Sequence, residues 1–282
     1  MASGYSSLGV IRRASVAPPI PRCSALNPLR HQLPITGSSD LARILELSPL
    51  DTSASTVVLR GRLITIRLDQ PPGYAAVSYV WGLPEYTHSI TLNDSYTLPI
   101  TEILFGALRE LSLDEANAGG LSLWIDQVCI NQTDDSEKTS QVHMMSRIFS
   151  QARLVIGWLS PANSDSNEAM DLFRYFSLNS SEPEKATLGQ ALCRRLKLEW
   201  TTGQEDHSVN LFEYERNSAG LACVGLLYRP WFKRLWVIQE LVLADKVQLR
   251  CRSATLSDSE FFRALKSPEW KARKSVGSLQ SP

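Results

Sequence analysis

The chain is poor in the features that usually give a function away. Its five cysteines are Cys23, Cys129, Cys193, Cys223 and Cys251. They are odd in number, widely spaced and without a C-x-x-C pair, which argues against a disulfide framework or a zinc site and for a reducing compartment. The four histidines, His31, His88, His143 and His207, show no metal-ligand spacing. No P-loop, G-x-G-x-x-G, G-x-S-x-G or H-E-x-x-H pattern occurs, which disfavours the enzyme classes built on them. No apolar run approaches the roughly eighteen residues that span a bilayer. The N-terminus lacks an apolar h-region, so a secretory signal is not expected either. The 29 basic and 29 acidic residues cancel, and nothing in that balance asks for nucleic acid or an anionic membrane as a partner.

The composition that remains is that of a globular chain able to bury a sizeable core. Residues 1–40 are rich in Ser, Pro and Arg and hold no acidic residue before Asp40. Arg12, Arg13, Arg22 and Arg30 resemble a transit peptide in composition. The prolines between Pro18 and Pro34 break any amphipathic helix, so a disordered tail is expected. A folded domain is expected over 41–265, with a frayed tail over 266–282.

Within the domain, strands are expected at 41–47, 57–64 and 74–81, the last stopped by Gly82 and Pro84. A small hairpin is expected over 89–98, with Asn93-Asp94 at its turn. Ile103, Leu104, Ala107, Leu108 and Leu111 set a helix over 101–112. A strand at 121–126 ends in Asp126 and a polar loop. Asp135 or Ser136 is expected to cap the next helix, with Val142, Met145, Ile148, Phe149 and Ala152 on its buried face. A strand over 154–159 follows. Two helix-like pieces near 166–177 and 184–198 read as an insertion within 165–215. A continuous helix is expected from Pro230 to Ala244, and a last strand over 247–251. Alternating strands and helices imply an α/β fold with a mostly parallel sheet flanked by helices.

Four segments stand in order: Tyr74-Ala-Ala-Val-Ser-Tyr-Val-Trp-Gly82, Leu123-Trp-Ile-Asp-Gln-Val-Cys-Ile-Asn-Gln132, the stretch 141–159, and Arg229-Pro-Trp-Phe-Lys-Arg-Leu-Trp-Val-Ile-Gln-Glu240. Together they resemble the heterokaryon incompatibility (HET) domain of filamentous fungi over about 41–252. The pattern departs after Cys251, where Arg252-Ser253 stand. The resemblance implies a cytoplasmic signalling or effector domain in allorecognition and programmed cell death. It also implies self-association, or association with another incompatibility protein, and no required cofactor. HET domains are more distantly similar to TIR domains, whose sheet is flavodoxin-like. In that comparison the segment around Trp236, Gln239 and Glu240 is similar to a TIR helix whose glutamate, in some members, cleaves NAD. The alternative it implies is a NAD-consuming hydrolase with Glu240 as the catalytic carboxylate and NAD as substrate.

Glu240 stands out without any family. Its neighbours Trp236, Val237, Leu243 and Ala244 are apolar, so the carboxylate is either buried or aimed into a cleft, and burial would raise its pKa. The structural alternative is a salt bridge to a helix neighbour or to Arg234. In the enzyme reading a carboxylate stabilises oxocarbenium character on a ribose. Asp126 then offers an acceptor to a ligand hydroxyl, or caps a loop amide. Trp81 stacks on a planar ring or packs in the core, and Gly82 permits close backbone approach. Arg229, Lys233 and Arg234 form a basic cluster suited to a pyrophosphate or to solvent. Tyr79 reads as core. Asn131 and Gln132 read as loop-fixing groups, and Cys129 as a buried, inert thiol.

Overall fold

The computed structural model describes Leu29, Leu33, Ile35 and residues 40–53, 56–114, 120–159, 166–179, 183–196 and 218–267. Most of the N-terminal tail, part of the insertion expected within 165–215 and most of the C-terminal tail lie outside them. Leu29 and Ile35, which sequence alone leaves in the tail, are buried in the core.

Among the described residues nine strands make one sheet in the order β5-β4-β2-β1-β6-β3-β7-β8-β9. Its centre is parallel: β6 (Leu121–Trp124), β3 (Ala75–Tyr79), β7 (Leu154–Trp158) and β8 (Val247–Cys251). Numbered along the chain, these four strands lie in the order 2-1-3-4, as in flavodoxin-type sheets. All five β3 residues are buried, as expected for a strand with neighbours on both edges and cover on both faces.

The flanks are mixed. β1 (Leu41–Leu47) pairs antiparallel with both β2 (Leu59–Arg67) and β6. β4 (His88–Leu92) runs parallel to β2 and antiparallel to β5 (Tyr96–Ile100). The β4–β5 turn holds Asn93 at φ 48° and Asp94 at φ 60°, left-handed values that these two side chains tolerate. On the far edge β9 (Ala254–Ser257) pairs antiparallel with β8.

The helices are α1 (Glu102–Ser112), α2 (Asp126–Cys129), α3 (Asp135–Gln151), α4 (Ser166–Ser177), α5 (Pro183–Leu196), α6 (Ser218–Leu227), α7 (Leu235–Val242) and α8 (Asp258–Lys266). Asp134, rather than Asp135 or Ser136, caps α3, accepting from the backbone N–H groups of Ser136 and Glu137. The buried face of α3 carries Glu137, Gln141, Met144 and Ile148, and Val142 is exposed. The two polar members shift the face because each has a partner inside: Gln141 donates to the Leu41 carbonyl at 3.1 Å, and Glu137 pairs with Arg43 at 2.7 Å. Helix α4 packs on α6, α8 and β9 and belongs to the core, with Phe173 buried against Phe261.

The expected helix from Pro230 to Ala244 is broken in two. A 3-10 turn covers Pro230–Lys233, Arg234 is extended (φ −77°, ψ 132°), and α7 begins at Leu235. Pro230 fits the first turn, where its missing N–H costs nothing. The break at Arg234 turns the two halves to different tasks: Trp231 goes into the core, and α7 brings Glu240 back beneath it. Among the described residues no helix is long and apolar enough to cross a membrane.

Candidate functional site

The carboxyl end of β3 is the hub. Gly157 on neighbouring β7 leaves the space for Trp231: a Cβ there would come within 2.8 Å of the indole ring. The buried Trp231 ring therefore lies against β7, and its Nε1–H donates to Ser78 twice, to the carbonyl oxygen at 3.1 Å and to the hydroxyl at 2.8 Å. The Ser78 hydroxyl in turn donates to Glu240 Oε2. Arg234 completes the cluster, with Nη2 at 3.4 Å from Glu240 Oε1 and Nη1 at 3.5 Å from the Ser78 hydroxyl. A tryptophan, a serine and an arginine thus fix the direction of one carboxylate.

Glu240 is only 2 % exposed. Burial raises its pKa above the usual carboxylate range; Arg234 and the Ser78 hydroxyl pull it back, and the negative charge of Asp126 adds to the rise. Asp126 is half-buried and opens α2 rather than closing β6, because the strand ends at Trp124. Its Oδ2 accepts from the Trp81 indole at 2.8 Å and its Oδ1 from the Gln127 N–H at 2.7 Å. Its pKa is also raised, by burial first, against the opposing pull of Trp81, Gln127, Arg234 and Tyr79. Asp126 and Glu240 therefore feel one another's charge and share Arg234.

Several sequence-level candidates converge here. Trp81 is half-buried and tied to Asp126. Gly82 adopts φ +75°, and a Cβ there would meet Ile103 at 2.7 Å, so the chain leaves β3 by a path closed to larger residues. Gln132 Nε2 donates to the Asp126 carbonyl at 2.8 Å, and Asn131 Oδ1 accepts from the Thr133 hydroxyl at 2.9 Å; both fix the loop. Cys129 is buried, its sulfur accepting from the Ile125 N–H at 3.3 Å.

The basic cluster disperses. Arg229 donates to the Leu159 carbonyl at 2.8 Å and the Ser166 hydroxyl at 2.7 Å, clamping the end of β7. Lys233 lies over the Tyr228 ring. Arg234 alone of the three joins the carboxylates.

Sequence reasoning missed Ser78, Trp231 and Gln127. Ser78 was legible as the one aliphatic hydroxyl inside an apolar strand run, a position that needs a polar partner. Among the described residues no group of three or more His, Cys, Asp or Glu side chains could hold a metal ion.

A family model described as heterokaryon incompatibility protein (HET) matches residues 74–240, from the start of β3 to Glu240 itself. A curated relative, heterokaryon incompatibility protein 6, OR allele, of Neurospora crassa, is 34 % identical over 228 residues, covering 74 % of this chain and 33 % of the relative. The chain thus spans about a third of that relative's length. No solved structure matches the chain.

Proposed function

We propose that this chain, which belongs to the heterokaryon incompatibility family, is the signalling or effector domain of a fungal incompatibility protein, acting in allorecognition and programmed cell death as a self-associating module in the cytoplasm. What supports association is the outer face of α7. Leu235 is 80 % exposed, Ile238 62 % and Val242 75 %. These residues are spaced three and then four apart, so they form one stripe. A helix on a globular protein normally turns such a stripe inward. Here the inward positions are taken by Val237 and Glu240.

A stripe on a single helix is self-complementary about a twofold axis, so a second copy fits it. An eight-residue helix is about 12 Å long, too short to supply the roughly 800 Å² per partner of a standard interface. Association is therefore weak and set by local concentration, which suits a domain that fires when clustered. Light scattering across a concentration series tests this. Wild type should shift toward dimer as concentration rises, and a Leu235→Glu, Ile238→Glu variant should stay monomeric with an unchanged melting temperature. A wild type that stays monomeric at every concentration, or a variant that dimerises as well as wild type, would overturn it.

A second reading is supported by Asp126, Arg234 and Glu240 lying together at the carboxyl ends of parallel strands, where α/β proteins hold ligands. It is a TIR-like NAD glycohydrolase in which Glu240 stabilises the ribosyl cation. The 2-1-3-4 strand order supports the TIR likeness. The burial of Glu240 weighs against this reading in the resting chain, since Arg234 would have to swing away first. Nicotinamide release from NAD at high protein concentration tests it: release abolished by Glu240→Ala supports the mechanism, and none from wild type sinks it.

A further inference from the structure

Two buried side chains beside Asp126 have polar atoms that meet hydrogen-bond geometry with nothing. Tyr79 is 1 % exposed, and its hydroxyl approaches Asp126 without meeting hydrogen-bond geometry; Gln127 is 3 % exposed, and neither its amide oxygen nor its amide nitrogen has a partner in hydrogen-bond geometry. The other unpaired buried atoms belong to Thr65, Trp124, Gln141, Gln151 and Trp158, one atom each. Among the described residues Gln127 is thus the side chain with both ends unmet. The Tyr79 hydroxyl is turned toward Asp126, whose charge helps raise its pKa after burial does. The Gln127 amide faces Tyr86, which approaches it without meeting hydrogen-bond geometry. Tyr86 belongs to the loop that leaves β3 through Trp81 and Gly82, so these groups share one neighbourhood.

Unpaired buried polar atoms destabilise a fold, and Met or Phe of similar shape would remove the cost. Two such side chains next to a carboxylate of raised pKa are a local conflict of the kind that marks a site rather than packing. We propose that Tyr79, Gln127 and Asp126 form a binding site, beneath the loop that begins at Trp81, for a planar heterocycle carrying a hydrogen-bond donor beside an acceptor on one edge.

The chemistry follows from the side chains. A glutamine amide pairs bidentately with an adjacent donor and acceptor, as it does with the N6 and N7 edge of adenine. A carboxamide on an aromatic ring presents the same pair. The Tyr79 hydroxyl can donate or accept, and the lone pairs Asp126 has left accept from a ligand hydroxyl or amine. Trp81, its indole N–H anchored on Asp126, offers a ring of fixed orientation for stacking. The site lies outside the carboxyl ends of β3 and β6, beside the point where the parallel strands change direction of progress. Tyr86 is the group the ligand displaces. The proposal rests on the second reading only for a ligand site beside Asp126; it requires no turnover, so binding without nicotinamide release separates the two.

Calorimetric titration of the full chain tests it, with adenosine and nicotinamide as separate probes. Purine riboside and 3-acetylpyridine keep each ring and lose the donor. Saturable binding of either probe, with its donor-lacking analogue weaker by roughly tenfold or more, supports the site and says which ring it takes. Gln127→Met and Tyr79→Phe should each weaken that binding by about as much while leaving the melting temperature equal to or above wild type. Should Gln127→Met fail to fold, Tyr79→Phe, which deletes one oxygen, carries the same comparison. No saturation with either probe, analogues that bind equally well, or variants that bind like wild type would overturn the proposal. So would a lower melting temperature in Tyr79→Phe without loss of binding, the signature of a hydroxyl that bound water already satisfies.

Discussion

Two of the arginine–glutamate pairs around this sheet, each with a buried glutamate, are built to opposite standards. Arg43 on β1 meets Glu137 on α3 through two parallel contacts of 2.7 and 2.8 Å, both side chains buried. Both ends have further partners: Arg43 also donates to the Leu33 and Cys129 carbonyls at 2.9 and 3.0 Å, and Glu137 accepts from the Asn131 N–H at 2.6 Å. Arg234 meets Glu240 through one long contact of 3.4 Å, and the arginine is 23 % exposed at its side chain while the glutamate is buried. Glu240 keeps a raised pKa. The first pair is saturated and closed, and ties the N-terminal strand to the loop after α2. The second is loose on one side and open toward Asp126. The difference separates a structural clamp from a group held ready for exchange of partners.

The largest effect should come from breaking the clamp. Glu137→Gln leaves the Arg43 charge buried without its counter-charge, and such losses cost about 3–5 kcal/mol. Urea denaturation should show a midpoint lowered accordingly. A double-mutant cycle sharpens the contrast: the coupling between Arg43 and Glu137 should exceed that between Arg234 and Glu240 several-fold, since a partly exposed, single-contact pair contributes about 1 kcal/mol or less. Equal couplings would erase the distinction.

The same contrast explains what the sequence could and could not reveal. The apolar runs at β3, β6 and β7 announce their strands, and Asn93-Asp94 announces its turn. Asp126 and Glu240 are visible because each interrupts an apolar stretch. Arg43 and Glu137 are not, because an arginine in Leu-Ala-Arg-Ile-Leu reads as an outward residue and its partner lies 94 residues away. The break at Arg234 carries no proline or glycine to mark it, so the continuous apolar pattern of 231–244 reads as one helix. α8 has a local signal: Ser257 and Glu260 form a capping box, each side chain bonded to the other's backbone N–H. Tyr79 reads as core in sequence and Gln127 stands out by nothing there; their unpaired buried atoms are visible only in the fold.

The smaller effect concerns how Glu240 responds to pH. Its folded-state pKa lies above its unfolded value, so between the two the native state binds more protons than the unfolded chain. Its contribution is then fully present below the ordinary carboxylate pKa and is lost as pH rises through the raised one. Glu240→Gln keeps an acceptor for the Ser78 hydroxyl and removes this titration. At neutral pH the variant should differ from wild type by about 1 kcal/mol or less. On moving from mildly acidic to neutral buffer, the urea midpoint of wild type should fall more than that of the variant. Asp126, raised in the same direction, leaves a residual fall in both proteins. Parallel pH profiles would mean that the Glu240 carboxyl carries no pH-dependent stability, and that its pair with Arg234 is a second clamp rather than part of a site.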